Sequence, residues 1–157
     1  MKKYLFIILI PLFFNSCDTI NKKEELKALA EKYFEGIYGC NPSVVDDLAA
    51  DSIIISYPIF EKIFGAPVIR GKDSVKNFVE HFCGKWKDAQ FTFHETIAEG
   101  NNVVIVWSSK ARNASSKVVE SWGGITLFKF NNQNQIAQEV GEESTPGPFA
   151  RLTVQKN

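Results

Sequence analysis

Gln90-Phe91-Thr92-Phe93-His94-Glu95-Thr96-Ile97-Ala98, followed by Gly100-Asn101-Asn102 and then Val103-Val104-Ile105-Val106-Trp107, is the stretch that decides the fold. Phe91, Phe93 and Ile97 alternate with Thr92, His94 and Thr96, the period-two signature of a half-buried strand. Gly100-Asn101-Asn102 is a hairpin turn signal, so residues 103–112 form the mostly apolar partner strand. Residues 113–117 turn the chain again and 119–130 run back. A polar turn at 131–135 precedes the last strand, 136–144. Pro146 and Pro148 end the sheet. The result is an antiparallel meander. Trp122, Thr126 and Phe128 share one face of its third strand, and Trp107 is expected to face them from the neighbouring strand.

Upstream of the meander the period changes. Leu26, Leu29, Ala30, Tyr33, Phe34 and Ile37 recur at helical spacing, which predicts an amphipathic helix over 24–38. Gly39 stops it. Asn41 and Pro42 start a short second helix whose core side is Val44, Val45 and Leu48. Residues 52–57 are β-branched and apolar, a first strand. Residues 58–70 read as an apolar loop covering something. A third helix begins after Gly71, with Val75, Phe78, Val79, Phe82 and Trp86 as its stripe. Helices followed by a run of strands define an α+β class. The expected architecture is a cone-shaped curved antiparallel sheet packed on three N-terminal helices, within one domain over 24–150.

The start of the chain has a different character. Met1-Lys2-Lys3 leads into an apolar run from Tyr4 to Phe14 and then Asn15-Ser16-Cys17. The run is shorter than the roughly 20 residues a spanning helix needs. A basic start, a short apolar core and a small residue at the end is the layout of a secretory signal. The cysteine behind it resembles the lipobox of bacterial lipoproteins. That resemblance implies removal of residues 1–16, lipidation of Cys17, a tether over 17–23 and a place in the bacterial cell envelope, held to a membrane by its lipid.

The full chain of 157 residues balances 18 basic against 18 acidic side chains. A chain beginning at Cys17 loses Lys2 and Lys3 and is slightly acidic. It shows no basic stripe, so nucleic acid is not an expected partner. Three cysteines are too few for a disulfide scaffold. Cys40 and Cys83 could pair in an exported protein, but they stand near the end of one predicted helix and inside another, and two buried thiols are the simpler expectation. His81 and His94 lie at ligand spacing neither from a cysteine nor from each other, so no metal is expected. Both read as bystanders. There is no Gly-x-Ser-x-Gly nucleophile turn, phosphate loop or dinucleotide fingerprint, and no cofactor is expected.

The element order resembles the nuclear transport factor 2-like superfamily, and within it the SnoaL-like branch. Carrying the resemblance are Tyr33-Phe34, Asn41-Pro42 with Leu48-Ala49-Ala50-Asp51, Gly71-Lys72-Asp73-Ser74-Val75, and Trp122-Gly123-Gly124-Ile125-Thr126-Leu127-Phe128. It implies the cone fold but no single function, since the fold hosts enzymes, binders and dimerisation modules. Steroid isomerases of the superfamily use a carboxylate base and an oxyanion hole of Tyr and protonated Asp. Their helix Tyr falls on Tyr33, their base on Tyr57 and their Asp on Thr126. One part of three is kept, and tyrosine is a poor base near neutral pH.

Polyketide cyclases of the SnoaL-like branch use an acidic residue on the last strand. Here Glu139, Glu142 and Glu143 fall in that region, and Gly141 can equally hold the key position. Alternation puts Glu139, Gly141 and Glu143 on one face. The simplest reading is a solvated acidic edge. If the odd face points inward, Glu139 is the best candidate acid or base, and an enzyme reading would use Glu139 or Tyr57 with Tyr33. The aromatics read equally as core or as a slot for a flat apolar molecule, lined by Tyr33, Tyr57, Trp107, Trp122, Thr126 and Phe128. The leading expectation is an envelope lipoprotein that binds a small hydrophobic or amphipathic ligand. The alternatives are a cyclase, isomerase or dehydratase and a homodimeric interaction module.

Overall fold

The computed structural model describes residues 15–149, with side chains from Ile20 onward. Residues 1–14 of the expected leader, 1–16, lie outside the described residues. The element order is α1 (Asn15–Tyr38), α2 (Ser43–Leu48), β1 (Ala49–Ser56), α3 (Pro58–Phe64), β2 (Val68–Arg70), α4 (Lys72–Lys85), β3 (Trp86–Glu99), β4 (Asn102–Asn113), β5 (Val119–Phe130) and β6 (Ile136–Ser144). Among these elements no helix is long and apolar enough to cross a membrane.

The α+β class and the helix-backed curved sheet are as expected. The stripe of α1 is buried on the sheet: Leu26, Ala30, Tyr33, Phe34 and Ile37 have no exposed surface. The helix starts earlier than its apolar stripe, because Asp18 to Glu25 holds no breaker and is tied down by charge. Lys23 pairs with Glu99 at 2.6 Å, and Lys22 donates to Asn101 at 3.0 Å. The stretch read as a tether is therefore helical.

The sheet order is β2-β1-β6-β5-β4-β3. It is mixed rather than wholly antiparallel: β1 lies parallel to β6, with Ile55 opposite Glu139. Among the described residues four helices pack on it, not three. The segment expected as a loop folds into α3, with Pro58 in its first turn, and the short strand β2 paired to β1. Trp86 leaves the helical stripe and opens β3.

Two register shifts bend β3 against β4, at Lys87/Gln90 and Phe93/Glu95. The second also reverses the alternation. Beyond it Thr96 turns to α1 and donates to Glu31 at 2.5 Å, Ala98 is buried, and Ile97 is 57% exposed. Ile97 therefore does not share the inner face with Phe91 and Phe93. The expectation of two thiols is overturned as well: Cys40 and Cys83 form a disulfide with Cα atoms 5.7 Å apart, fastening α4 to the end of α1. The spacing in sequence does not reveal that α4 packs back on α1.

One end of the cone carries the turns at 100–101 and 131–135 and is closed by the first half of α1. Leu26, Val103, Phe130 and Ile136 are buried there. The other end, bounded by α3, α4 and Thr145, is open.

Candidate functional site

The deepest polar group of the cone is on β6. Glu139 faces inward and is 1% exposed, so the solvated acidic edge does not hold for it. Its Oε1 accepts the Tyr57 hydroxyl at 2.7 Å and the Tyr38 hydroxyl at 3.3 Å. Its Oε2 has no partner among the described residues, and none of their ion pairs includes it. Burial raises its pKa to about 7, and the two tyrosine hydrogen bonds pull the other way.

The contacts continue away from the carboxylate. Tyr57 Oη lies 3.0 Å from Thr126 Oγ1, and the Trp107 indole N–H donates to that same oxygen at 2.9 Å. Because the Tyr57 hydrogen is committed to Glu139, the hydroxyl of Thr126 donates to Tyr57. The chain of donors thus runs from Trp107 through Thr126 and Tyr57 to Glu139, the arrangement an ionised carboxylate favours. Burial, with the charge of Glu139, raises the pKa of Tyr57 and Tyr33 well above the usual value, so both stay phenols.

Two glycines make this seating possible. A Cβ at Gly141 would lie 2.0 Å from a ring carbon of Tyr57, and one at Gly124 would lie 2.8 Å from the indole of Trp107. Gly141, two residues beyond Glu139, gives the Tyr57 ring its place and is not itself an acid/base position.

Above this floor lies a half-open cavity of ≈ 500 Å³. Tyr38, Phe60, Phe78 and Phe82 wall its helical side; Phe91, Trp107 and Trp122 wall its sheet side. Trp86 and Trp122 meet at 4.9 Å between ring centroids. At the rim stand Glu120, Glu143, Lys85 and His81. Burial pushes the Glu143 carboxyl up, and Lys85 opposes the shift.

Of the residues expected to line a pocket, Tyr57, Trp107 and Trp122 do so. Tyr33 and Phe128 have no exposed surface and pack edge to face at 6.1 Å, within the core rather than along the cavity. Thr126 lies beneath the floor, holding Tyr57 and Trp107. Glu139 is also beneath it, with Tyr38 and Tyr57 between carboxylate and cavity. Tyr33 makes no hydrogen bond to Glu139. Tyr38 was missed, although it stands four residues after Phe34 on the same helical face and could have been found by extending the stripe one step. Of Cys17, expected to carry lipid, only the backbone, in α1, is described. His94 is exposed and lies 2.9 Å from Ser108. No cluster of three or more metal-binding side chains occurs among the described residues.

A family described as the SnoaL-like domain matches residues 30–139. The chain belongs to this family. Solved structures agree on the fold. A proposed SnoaL-like polyketide cyclase of Jannaschia sp. CCS1 is 12% identical, with a TM-score of 0.67 over 83% of this chain and 91% of the other. TsrD of Streptomyces laurentii is 18% identical, with a TM-score of 0.64 over 83% and 96%. An LEH-like epoxide hydrolase of M. tuberculosis is 14% identical, with a TM-score of 0.64 over 85% and 92%. No curated protein shows significant sequence similarity. The SnoaL-like domain thus supplies the scaffold, and its chemistry rests on the side chains of this chain.

Proposed function

We propose that this SnoaL-like domain is a lipoprotein of the bacterial cell envelope whose cone holds a small hydrophobic or amphipathic molecule. The observation that carries the reading is the ≈ 500 Å³ cavity, aromatic on both walls and open at one end. It falls in the range of small-molecule sites, apolar with a few placed polar groups. The anchor rests on Cys17 behind its signal-like leader. Native mass spectrometry of the protein extracted from its own envelope tests both parts. The expected spectrum shows a diacylated or triacylated Cys17 and a bound molecule of a few hundred daltons. Unlipidated, ligand-free protein overturns the reading. The same spectrum reports a homodimer, which the apolar row Ile97, Val104, Leu127 and Val140 across the outer sheet face supports.

One observation favours a second reading, an acid/base enzyme of cyclase, isomerase or dehydratase type. Glu139, with its pKa at about 7 and Tyr57 between it and the cavity, is poised to exchange a proton through that hydroxyl. Deuterium exchange at the α-carbons of 2-tetralone, followed by proton NMR, is the test. Acceleration by the wild type that Glu139→Gln abolishes supports the enzyme; no acceleration removes it.

A further inference from the structure

The cavity has an unusual charge arrangement for an apolar site. Glu120 and Glu143 stand at its rim against the single ammonium of Lys85, with His81 beside them. Beneath the floor lies a third carboxylate, Glu139, which among the described residues has no cationic partner and has one oxygen unbonded. Among the described residues, the groups set against Glu139 are uncharged: Tyr38 from α1 and Tyr57 after β1, which donate to it, and Tyr33 from α1, which feels its charge, with Thr126 of β5 and Trp107 of β4 behind Tyr57. Glu143 lies further along its own strand, and Lys85 of α4 stays at the rim, its ammonium 4.8 Å over the ring of Trp86. A carboxylate buried without a counter-charge is costly, and such groups normally have one.

The walls complete the pattern. Tyr38, Tyr57, Phe60, Phe78, Trp107 and Trp122 present π-systems whose faces carry partial negative charge. Such faces attract cations, most strongly in a desolvated site. A primary ammonium would have to shed strong hydration in a cavity with few acceptors. An alkylated ammonium is weakly hydrated and presents methyl groups to the rings.

We infer that the cavity selects an amphiphilic cation, a tertiary or quaternary ammonium on an apolar body, with Glu139 as its buried counter-charge. The inference rests on the ligand-pocket reading and names the class of ligand. A cation above Tyr38 and Tyr57 favours the ionised carboxylate, so its binding expels the proton of Glu139 near neutral pH. The hydrogen-bond chain from Trp107 is already oriented for that form.

Isothermal titration calorimetry with two probes of equal shape decides the matter: (4-hydroxymethylphenyl)trimethylammonium and neutral 4-tert-butylbenzyl alcohol. At pH 8 the cation is expected to bind at least tenfold tighter. The advantage shrinks towards pH 5.5, and buffers of different ionisation enthalpy report proton release near pH 7. In Glu139→Gln the ratio of cation to alcohol affinity falls to near one and no longer changes with pH. Equal or tighter binding of the alcohol by wild type overturns the cation inference and leaves the pocket standing. Absence of binding by either probe at millimolar concentration overturns the pocket reading itself. The wild-type comparison needs no variant to fold.

Discussion

The closed end of the cone is held by Leu26, Val103 and Ile136 with charged ties outside, whereas the open end is floored by hydroxyls and walled by aromatic rings. At the closed end Lys23 reaches Glu99 and Asn134 reaches Glu25, both exposed contacts of small energetic value. What holds that end is apolar burial. The open end contains a carboxylate that costs stability when ionised, a hydroxyl chain that must be fully paired, and a disulfide. Apolar burial alone holds the end where nothing binds, whereas polar expense gathers at the open end and a covalent tie offsets it.

The largest effect that would sharpen this contrast is loss of the Cys40–Cys83 bridge. With its ends 43 positions apart in sequence, its removal costs about 4 kcal/mol in a loop-entropy treatment. Hydrogen exchange of the Cys40→Ala/Cys83→Ala variant should quicken first in α4 and leave the β3–β4 turn protected. Uniform loosening would break the comparison. Next, Ile136→Ala at the closed end should cost about 3 kcal/mol in urea unfolding. Its affinity for the aromatic probe alcohol should stay within twofold of wild type.

The pH dependence of stability is third. Glu139 titrates at about 7 in the fold against an ordinary 4.5. Between those values the folded state keeps a proton that the unfolded chain has released, so its contribution is fully present below pH 4.5 and lost as pH rises through 7. The loss is on the order of 3 kcal/mol. Urea unfolding at pH 5 and pH 8 measures it, and Glu139→Gln should flatten the difference. A wild-type difference equal to that of the variant would remove Glu139 as the cause. The smallest effect is expected from Gly141→Ala, about 2 kcal/mol of overpacking against Tyr57. Displacing that ring removes a donor from Glu139, so its carbon-13 NMR titration should move to higher pH.

The meander was legible because alternation and turn chemistry act over a few residues, as in Gln90 to Val103 and Asn131 to Ile136. The α1 stripe was legible for the same reason. The parallel pairing of β1 with β6 joins Ile55 to Glu139, and no local pattern carries it. The reversal after Phe93 depends on one extra residue against β4, which composition does not mark. The inward face of Glu139 was one of two parities that alternation allowed. Its burial was not readable, since it depends on Tyr57 crossing over Gly141 and on Tyr38 arriving from α1. Cys40 and Cys83 meet only because α4 returns to α1.

The length of α1 sets where the mouth lies. At 1.5 Å per residue its 24 residues measure about 36 Å, from Asn15, about two helical turns before Lys22 meets Asn101 at the closed end, to Tyr38 at the cavity floor. If Cys17 carries the lipid proposed above, a bilayer attached there meets the closed end, and the mouth opens away from it, about one helix length above the headgroups. Under that proposal cargo would arrive from the aqueous compartment rather than by lateral passage out of the leaflet, and the anchored helix would work as a stalk that sets height and bearing.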